Sequence, residues 1–317
     1  GPLLGLGKNI EKPKANSNFE YICILNYLNL LSEEAAVAML RLFSDLNTYD
    51  SHLSREINFN YHDVSSFFNT PKKIQYIKRL FKKDDGNLAK EILRSKPKLP
   101  IFSHNIFQVS KPLLKAFGNR LKIILSVRHP VYLIKDWSVY YKKFGVDPKE
   151  MSLTIGKDGE CPWFIKNIEE YNEINSFEKA IYSLNLLTEF QEENEKNNIL
   201  IQNNYLIIPF ESFVLDSENW VNKICNFINI ENKKELIQFL PKIGCPRKYL
   251  LEKKISNKKL SKLMNNKLLD LEKHYFHKSL EEIKKNSSDY YFGQFLKLLE
   301  KYQNNYEFKR SMPWDNY

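Results

Sequence analysis

Long apolar runs are missing. No stretch of about 18 consecutive apolar residues occurs, so nothing here reads as a membrane-spanning helix. Cysteine is scarce: Cys23, Cys161, Cys225 and Cys245 stand far apart. No CxxC or Cys/His pairing at metal spacing is present, which excludes the familiar zinc motifs. Reduced thiols in a cytoplasmic protein are the expectation, with a disulfide between distant pairs left open. A long basic block is also missing. The lysine pairs Lys72-Lys73, Lys82-Lys83, Lys253-Lys254, Lys258-Lys259 and Lys284-Lys285 are scattered, as on solvated helix faces. No repeat and no linker interrupts the chain, so a single domain is expected over residues 1–317. A nucleotide-triphosphate loop is absent too. The spacing from Gly1 to Gly7-Lys8 is one residue too long, and Asn9 stands where Ser or Thr would bind magnesium. The sequence opens Gly1-Pro2 without a methionine, which leaves an upstream targeting or anchor segment open.

What is present supports a sizeable core: 43% hydrophobic residues, with 14% aromatic. The net charge of +10 favours anionic partners, among them nucleotides, sulfated or phosphorylated substrates, nucleic acid and anionic membrane. Three short apolar runs read as strands: 98–102, 121–127 and 204–210. Between and around them, helical spacing marks 19–31, 33–46, 72–81, 106–117 with a break at Pro112, 131–144, 162–194 and 220–228. Ser17 or Asn18 is the expected N-cap of the first helix. The C-terminal third reads as helices over 259–275, 277–285 and 288–304. Buried strands alternating with long helices predict an α/β fold with a parallel sheet.

Five short stretches carry chemistry. Leu121 to Val127 ends on Arg128-His129-Pro130. An arginine at the carboxyl edge of a parallel sheet presents a donor fork suited to phosphate; a surface arginine capping a loop is the alternative. Pro13-Lys14-Ala15-Asn16-Ser17-Asn18 runs into a helix. A lysine, capping side chains and a helix N-terminus there form an anion site, or an ordinary capped helix with a surface lysine. Phe102-Ser103-His104-Asn105 ends a strand, with His104 as a general base or as a structural residue. Phe210, at the end of the 204–210 run, is an adenine-stacking ring or plain core. Gly244-Cys-Pro-Arg247-Lys248-Tyr249 is a phosphate-gripping loop or a solvated basic one.

In their order, these stretches resemble the sulfotransferases that use 3′-phosphoadenosine 5′-phosphosulfate (PAPS). Pro13 to Asn18 is similar to that family's Pro-Lys/Arg-Ser-Gly-Thr-Thr loop, with Ala15 and Asn16 in place of Ser-Gly. Ile-Leu-Ser-Val-Arg128-His129-Pro130 resembles the 3′-phosphate strand ending Arg-Asn/His-Pro. Ser103-His104 stands where many members carry Lys-Thr-His, without the lysine. Phe210-Glu211 and the later Phe-Ile-Asn-Ile230 resemble Tyr-Glu-Asp-Leu and Phe-Leu-Gly-Ile. Arg247-Lys248-Tyr249 resembles a late Arg-Lys-Gly. The departures are concrete. Residues 7–12 are polar where the family has an apolar strand. Eight residues after Arg128 stands Asp136, expected to point away from a phosphate, and the serine is Ser138.

The resemblance implies a three-layer αβα fold with a central parallel sheet. A cofactor-binding core would span about 1–250, followed by a helical extension over about 258–317. It implies sulfuryl transfer from PAPS to a hydroxyl acceptor, with carbohydrates, other small molecules and proteins as candidates. His104 would be the base and Lys14 would serve the leaving group. Ser17, Asn18, Arg128, Ser138, Phe210, Arg247 and Lys248 would bind the nucleotide. No metal and no nucleic-acid partner is expected. Trp163, Phe164, Trp137, Tyr140 and Tyr141 either line an acceptor site or pack helices. The rivals are a P-loop kinase, which predicts ATP binding and magnesium dependence, and a non-enzymatic relative of the fold.

Overall fold

The computed structural model describes residues 3–62, 66–70, 72–83, 86–144, 152–156, 159, 161–197, 204–250, 265–308 and 312–315. In chain order, the regular elements are β1 (Lys14–Ala15), α1 (Ser17–Tyr27), α2 (Glu33–His52), α3 (Lys73–Leu80), α4 (Gly86–Ser95), β2 (Ile101–Phe102), α5 (Lys111–Phe117), β3 (Ile123–Val127) and α6 (Pro130–Tyr141). They continue with β4 (Thr154–Ile155), β5 (Cys161–Pro162), α7 (Ile168–Glu173), α8 (Ser176–Asn197), β6 (Tyr205–Pro209), α9 (Phe210–Leu215), α10 (Ser217–Phe227), α11 (Lys233–Phe239), α12 (Asn265–Lys285) and α13 (Asp289–Asn305). The fold is mixed α/β and mostly helical. Among the described residues the strands pair two by two: β1 with β2, β3 with β6, and β4 with β5. Of the parallel sheet expected from the sequence, the β1–β2 pair is parallel among the described residues.

Two compact units divide the chain. The first takes residues 1–123, 200–204 and 221–243, and the second 124–199, 205–220 and 244–317.

In the first unit, β1 runs parallel to β2, with Lys14 opposite Ile101 and Ala15 opposite Phe102. The pairing begins earlier, at the Ile10–Lys98 bridge, and Glu11 N donates to Lys98 O at 2.9 Å. So the polar stretch before Lys14 does run beside a strand, although it lacks an apolar pattern. Its polarity is accommodated by buried partners. Glu11 accepts from Arg79 Nη1 and Nη2 at 2.6 and 2.8 Å and from the Tyr76 hydroxyl at 3.2 Å. Helix α1 starts directly after β1. Its N-cap is Asn16, not Ser17 or Asn18: the Asn16 side chain accepts from Asn18 N at 3.1 Å, satisfying one orphan donor of the first turn. Ser32 caps α2 through Ala35 N at 3.2 Å, and Glu33 and Glu34 oppose the positive end of its dipole. α2 extends to His52, beyond the expected end near residue 46. α1 packs against α2 and α5, burying Phe19, Ile22, Ile24, Leu40 and Leu114. The break within 106–117 falls at Ser110. Pro112 lies in the first turn of α5, where a missing N–H costs nothing.

In the second unit, β3 and β6 lie side by side. Strand β3 is half-buried, with Ser126 exposed, rather than the fully buried strand its composition suggests. Helix α6 follows with Pro130 at its first position, capped by His129, whose Nδ1 accepts from Val131 N at 3.4 Å. α6 packs against α8, α12 and α13, around Val131, Ile134, Ile181, Phe276 and Phe295. The stretch read as helices over 259–275 and 277–285 is one helix from Asn265, and residues 251–264 lie outside the described set. Helices α9 and α11 are too short for their periodicity to stand out in the sequence. All four cysteines are buried and free. No helix among the described residues is long and apolar enough to cross a membrane.

Candidate functional site

The nominated residues fall into two sets, one in each unit. In the first unit, β1 and β2 are parallel neighbours, so the residues just past them share the carboxyl edge where open α/β folds place ligands. Asn16 and Ser17 follow from β1, in which Lys14 is the first residue; Ser103, His104 and Asn105 follow from β2. The loop after β2 is fixed by a residue that sequence reasoning missed. Glu20, on α1 and only 4% exposed, accepts from Ser103 Oγ at 2.5 Å, His104 N at 2.9 Å and Asn105 N at 3.2 Å. His104 itself is largely exposed, its Nδ1 3.8 Å from Glu20. Only a glutamate in the first turns of a helix after β1 marks this role in sequence, and that is too common a pattern to single out.

Lys14 is engaged by the carboxylate of Glu56. A cavity of about 20 Å³ lies beside the pair, lined by Lys12, Lys14, Ser54, Glu56 and Tyr76 among others. That volume suits a single water. A phosphosulfate group needs Glu56 to yield. Ser17 is the first residue of α1 and half-buried, and Asn18 is exposed.

In the second unit, Arg128 follows β3 and Phe210 follows β6. The Arg128 guanidinium lies 5.7 Å from the Phe210 ring centroid and 5.8 Å from that of Tyr132. Arg247, far along the chain, brings its guanidinium to 5.6 Å from the same Phe210 ring. Two cations thus converge on one aromatic face system, a favourable arrangement for desolvated guanidiniums. Arg247 is held by its backbone, which donates to Val214 O at 2.6 Å, and by Nη1 on Leu250 O at 3.3 Å. The Nε atoms of both arginines are buried and make no hydrogen bond among the described residues. Three of the nominated residues are therefore brought together: Arg128, Phe210 and Arg247. Lys248 is exposed beside Arg247.

Two nominations change. Ser138 is 2% exposed and its hydroxyl bonds back to Lys135 O at 2.9 Å. That bond within the helix turns it away from a ligand role. Asp136, expected to point elsewhere, instead accepts a hydrogen bond from Arg128 Nη1. The aromatic residues considered for an acceptor site divide as well. Trp163, Phe164 and Tyr141 are buried, and Trp163 stacks on Phe190, so they pack the interior. Tyr140 is 39% exposed.

Beneath Arg128 lies a buried aromatic and acidic nest. His129 is fully buried and stacks on Trp314, with ring centroids 4.0 Å apart. Burial pushes its imidazole down to about 3, so the ring is neutral. Glu211 is 1% exposed and accepts from His129 N at 3.2 Å and from the Tyr302 hydroxyl at 2.7 Å. Burial raises its carboxyl, and the Tyr302 bond and the charge of Arg128 offset that only in part. Trp314 and Tyr302 come from the helical extension, whose contribution to this corner no motif announces.

Compared with known proteins, the chain matches no family model, no curated protein and no solved structure.

Proposed function

We propose that this protein is a PAPS-dependent sulfotransferase. The observation that carries the reading is the convergence of Arg128 and Arg247 on Phe210, each with a buried, unpartnered Nε. A ring for stacking and two guanidiniums fit a purine nucleotide bearing an extra phosphate. The three-layer αβα arrangement belongs to the same proposal, with the parallel β1–β2 pair as its support.

Arg128 and Arg247 bind the 3′-phosphate and Phe210 stacks on adenine. By the sequence resemblance, Lys14 serves the 5′-phosphosulfate end, with Ser17 and Asn18 at the start of α1. The acceptor hydroxyl oxygen attacks sulfur in line. The bond from sulfur to the bridging oxygen breaks, and adenosine 3′,5′-bisphosphate leaves with the electron pair. Cations at the leaving group stabilise that charge. His104, exposed at the strand end, takes the acceptor proton. The chemistry calls for no metal. Four buried free thiols support a reducing, cytoplasmic setting.

A non-enzymatic nucleotide-binding protein is the second reading, favoured by the engagement of Lys14 with Glu56. Calorimetry with adenosine 3′,5′-bisphosphate against ATP, followed by an assay for sulfated product, separates the possibilities. The expected result is preferential binding of the bisphosphate. Arg128→Ala and Arg247→Ala should each weaken it by about tenfold or more, the worth of one charge-assisted hydrogen bond. Equal or tighter binding of ATP sinks the reading. Binding without turnover on any hydroxyl acceptor leaves the second reading.

A further inference from the structure

We propose that Asp136 is an internal latch on the anion site of the second unit: its carboxylate occupies the edge of Arg128 that an incoming phosphate must take. The identity of the nucleotide rests on the reading above; the latch itself rests on geometry. Arg128 Nη1 donates to Asp136 Oδ2, while its Nε remains buried without a partner. Arg247 shares the Phe210 ring, with its own Nε likewise unpartnered. The two guanidiniums lie 5.7 and 5.6 Å from the Phe210 centroid, so an anion bound at that ring meets two positive charges. Asp136 is the one carboxylate on Arg128 among the described ion pairs.

The latch is built to open. Asp136 lies on the second turn of α6 with its side chain 52% exposed, against 29% for Arg128. A single rotamer change carries it into water, where a carboxylate is fully solvated. A half-exposed ion pair is weak, so a bound dianion, which makes stronger charge-assisted bonds, displaces it. The first unit repeats the pattern: Glu56 holds Lys14, the cation nominated there. In each unit, an internal carboxylate stands in for the anion that the site is proposed to bind.

The quantitative consequence follows from competition. A half-exposed pair worth up to about 1 kcal/mol is closed in at most about five molecules of six, which reduces apparent affinity for the anion by up to about sixfold. Removing the negative charge restores that factor and also removes like-charge repulsion toward the ligand. A pair serving only to brace the turn before α6 predicts the opposite. Its loss would loosen Arg128 and weaken binding.

The test compares the intact chain with its Asp136→Asn and Asp136→Ser variants by calorimetry. The probes are inorganic pyrophosphate and adenosine 3′,5′-bisphosphate, and near-ultraviolet circular dichroism checks folding. The latch predicts that both variants bind pyrophosphate severalfold more tightly than the unaltered chain, by about threefold or more. A gain for pyrophosphate with no binding of the nucleotide by any of the three supports the latch and defeats the cofactor reading. Tight nucleotide binding that neither substitution changes overturns the latch and leaves that reading standing. Weaker binding in both variants, or no phosphate binding by any of the three, overturns the latch.

Discussion

Glu11 in the first unit and Glu211 in the second are almost equally buried, at 4% and 1% exposure, yet their surroundings push them in opposite directions. Burial raises both carboxyls. At Glu11, the two hydrogen bonds and the charge of Arg79 overcome it, helped by His52 and Tyr76, and the net shift is downward. At Glu211, the hydrogen-bonding partners are the neutral Tyr302 hydroxyl and two backbone N–H groups, its own and that of His129, and the net shift is upward. The nearest cation, Arg128, is already engaged by Asp136. The first unit thus consumes a buried arginine in its own architecture. The second keeps Arg128 and Arg247 on the Phe210 ring, each with an Nε that makes no hydrogen bond among the described residues. The two corners thus differ in how far their buried arginine donors are used by neighbouring groups.

The contrast is open to attack. The largest effect is expected at the paired glutamate. Arg79→Leu strands a buried carboxylate and should cost about 3–5 kcal/mol in urea unfolding. A loss near zero would mean that Glu11 is not held as the geometry indicates. Next comes His129, whose imidazole falls from its ordinary 6.5 to about 3. Because its folded value is depressed, the stability it contributes is present above pH 6.5. That stability is lost as pH falls toward 3, at about 1.4 kcal/mol per pH unit. Glu211, with a raised carboxyl, contributes in the opposite sense: its share is present at low pH and is lost as pH rises. The His129 slope is therefore measured in a Glu211→Gln background. His129→Asn keeps the helix cap and should flatten the stability profile between pH 6.5 and 4.5. An unchanged slope would place the protonation elsewhere. Smallest is Glu211→Gln alone, expected to shift stability at pH 7 by less than about 1 kcal/mol, because the Tyr302 hydroxyl can reverse to meet the amide. A loss comparable to that of Arg79→Leu would erase the distinction between the two glutamates.

Local signals made part of this structure legible in advance. The apolar run ending at Val127 and the proline after His129 announced β3 and α6. The 204–210 run announces β6, although Phe210, expected as its last residue, opens helix α9 instead. What stayed hidden was non-local. Asp136 meets Arg128 only because α6 folds back beside the end of β3, and charge alone suggested separation. Glu20 holds the 103–105 loop across more than eighty residues of chain. Trp314 reaches His129 from the far end of the sequence, where no motif assigns it a task. The strand pairing of residues 10–15 was masked by their polarity, which is resolved only by partners such as Arg79 and Tyr76.

The two units are threaded through one another in sequence. The first is completed only by residues 221–243, and the second begins at 124 and closes with 244–317. A ribosome therefore releases the Arg128 strand long before Arg247, Tyr302 and Trp314 have been made. Arg128 and His129 precede Phe210 by about eighty residues, and Arg247, Tyr302 and Trp314 follow later still. The corner around Arg128 can therefore close only after Trp314 has been made, well after the segments of its first helices.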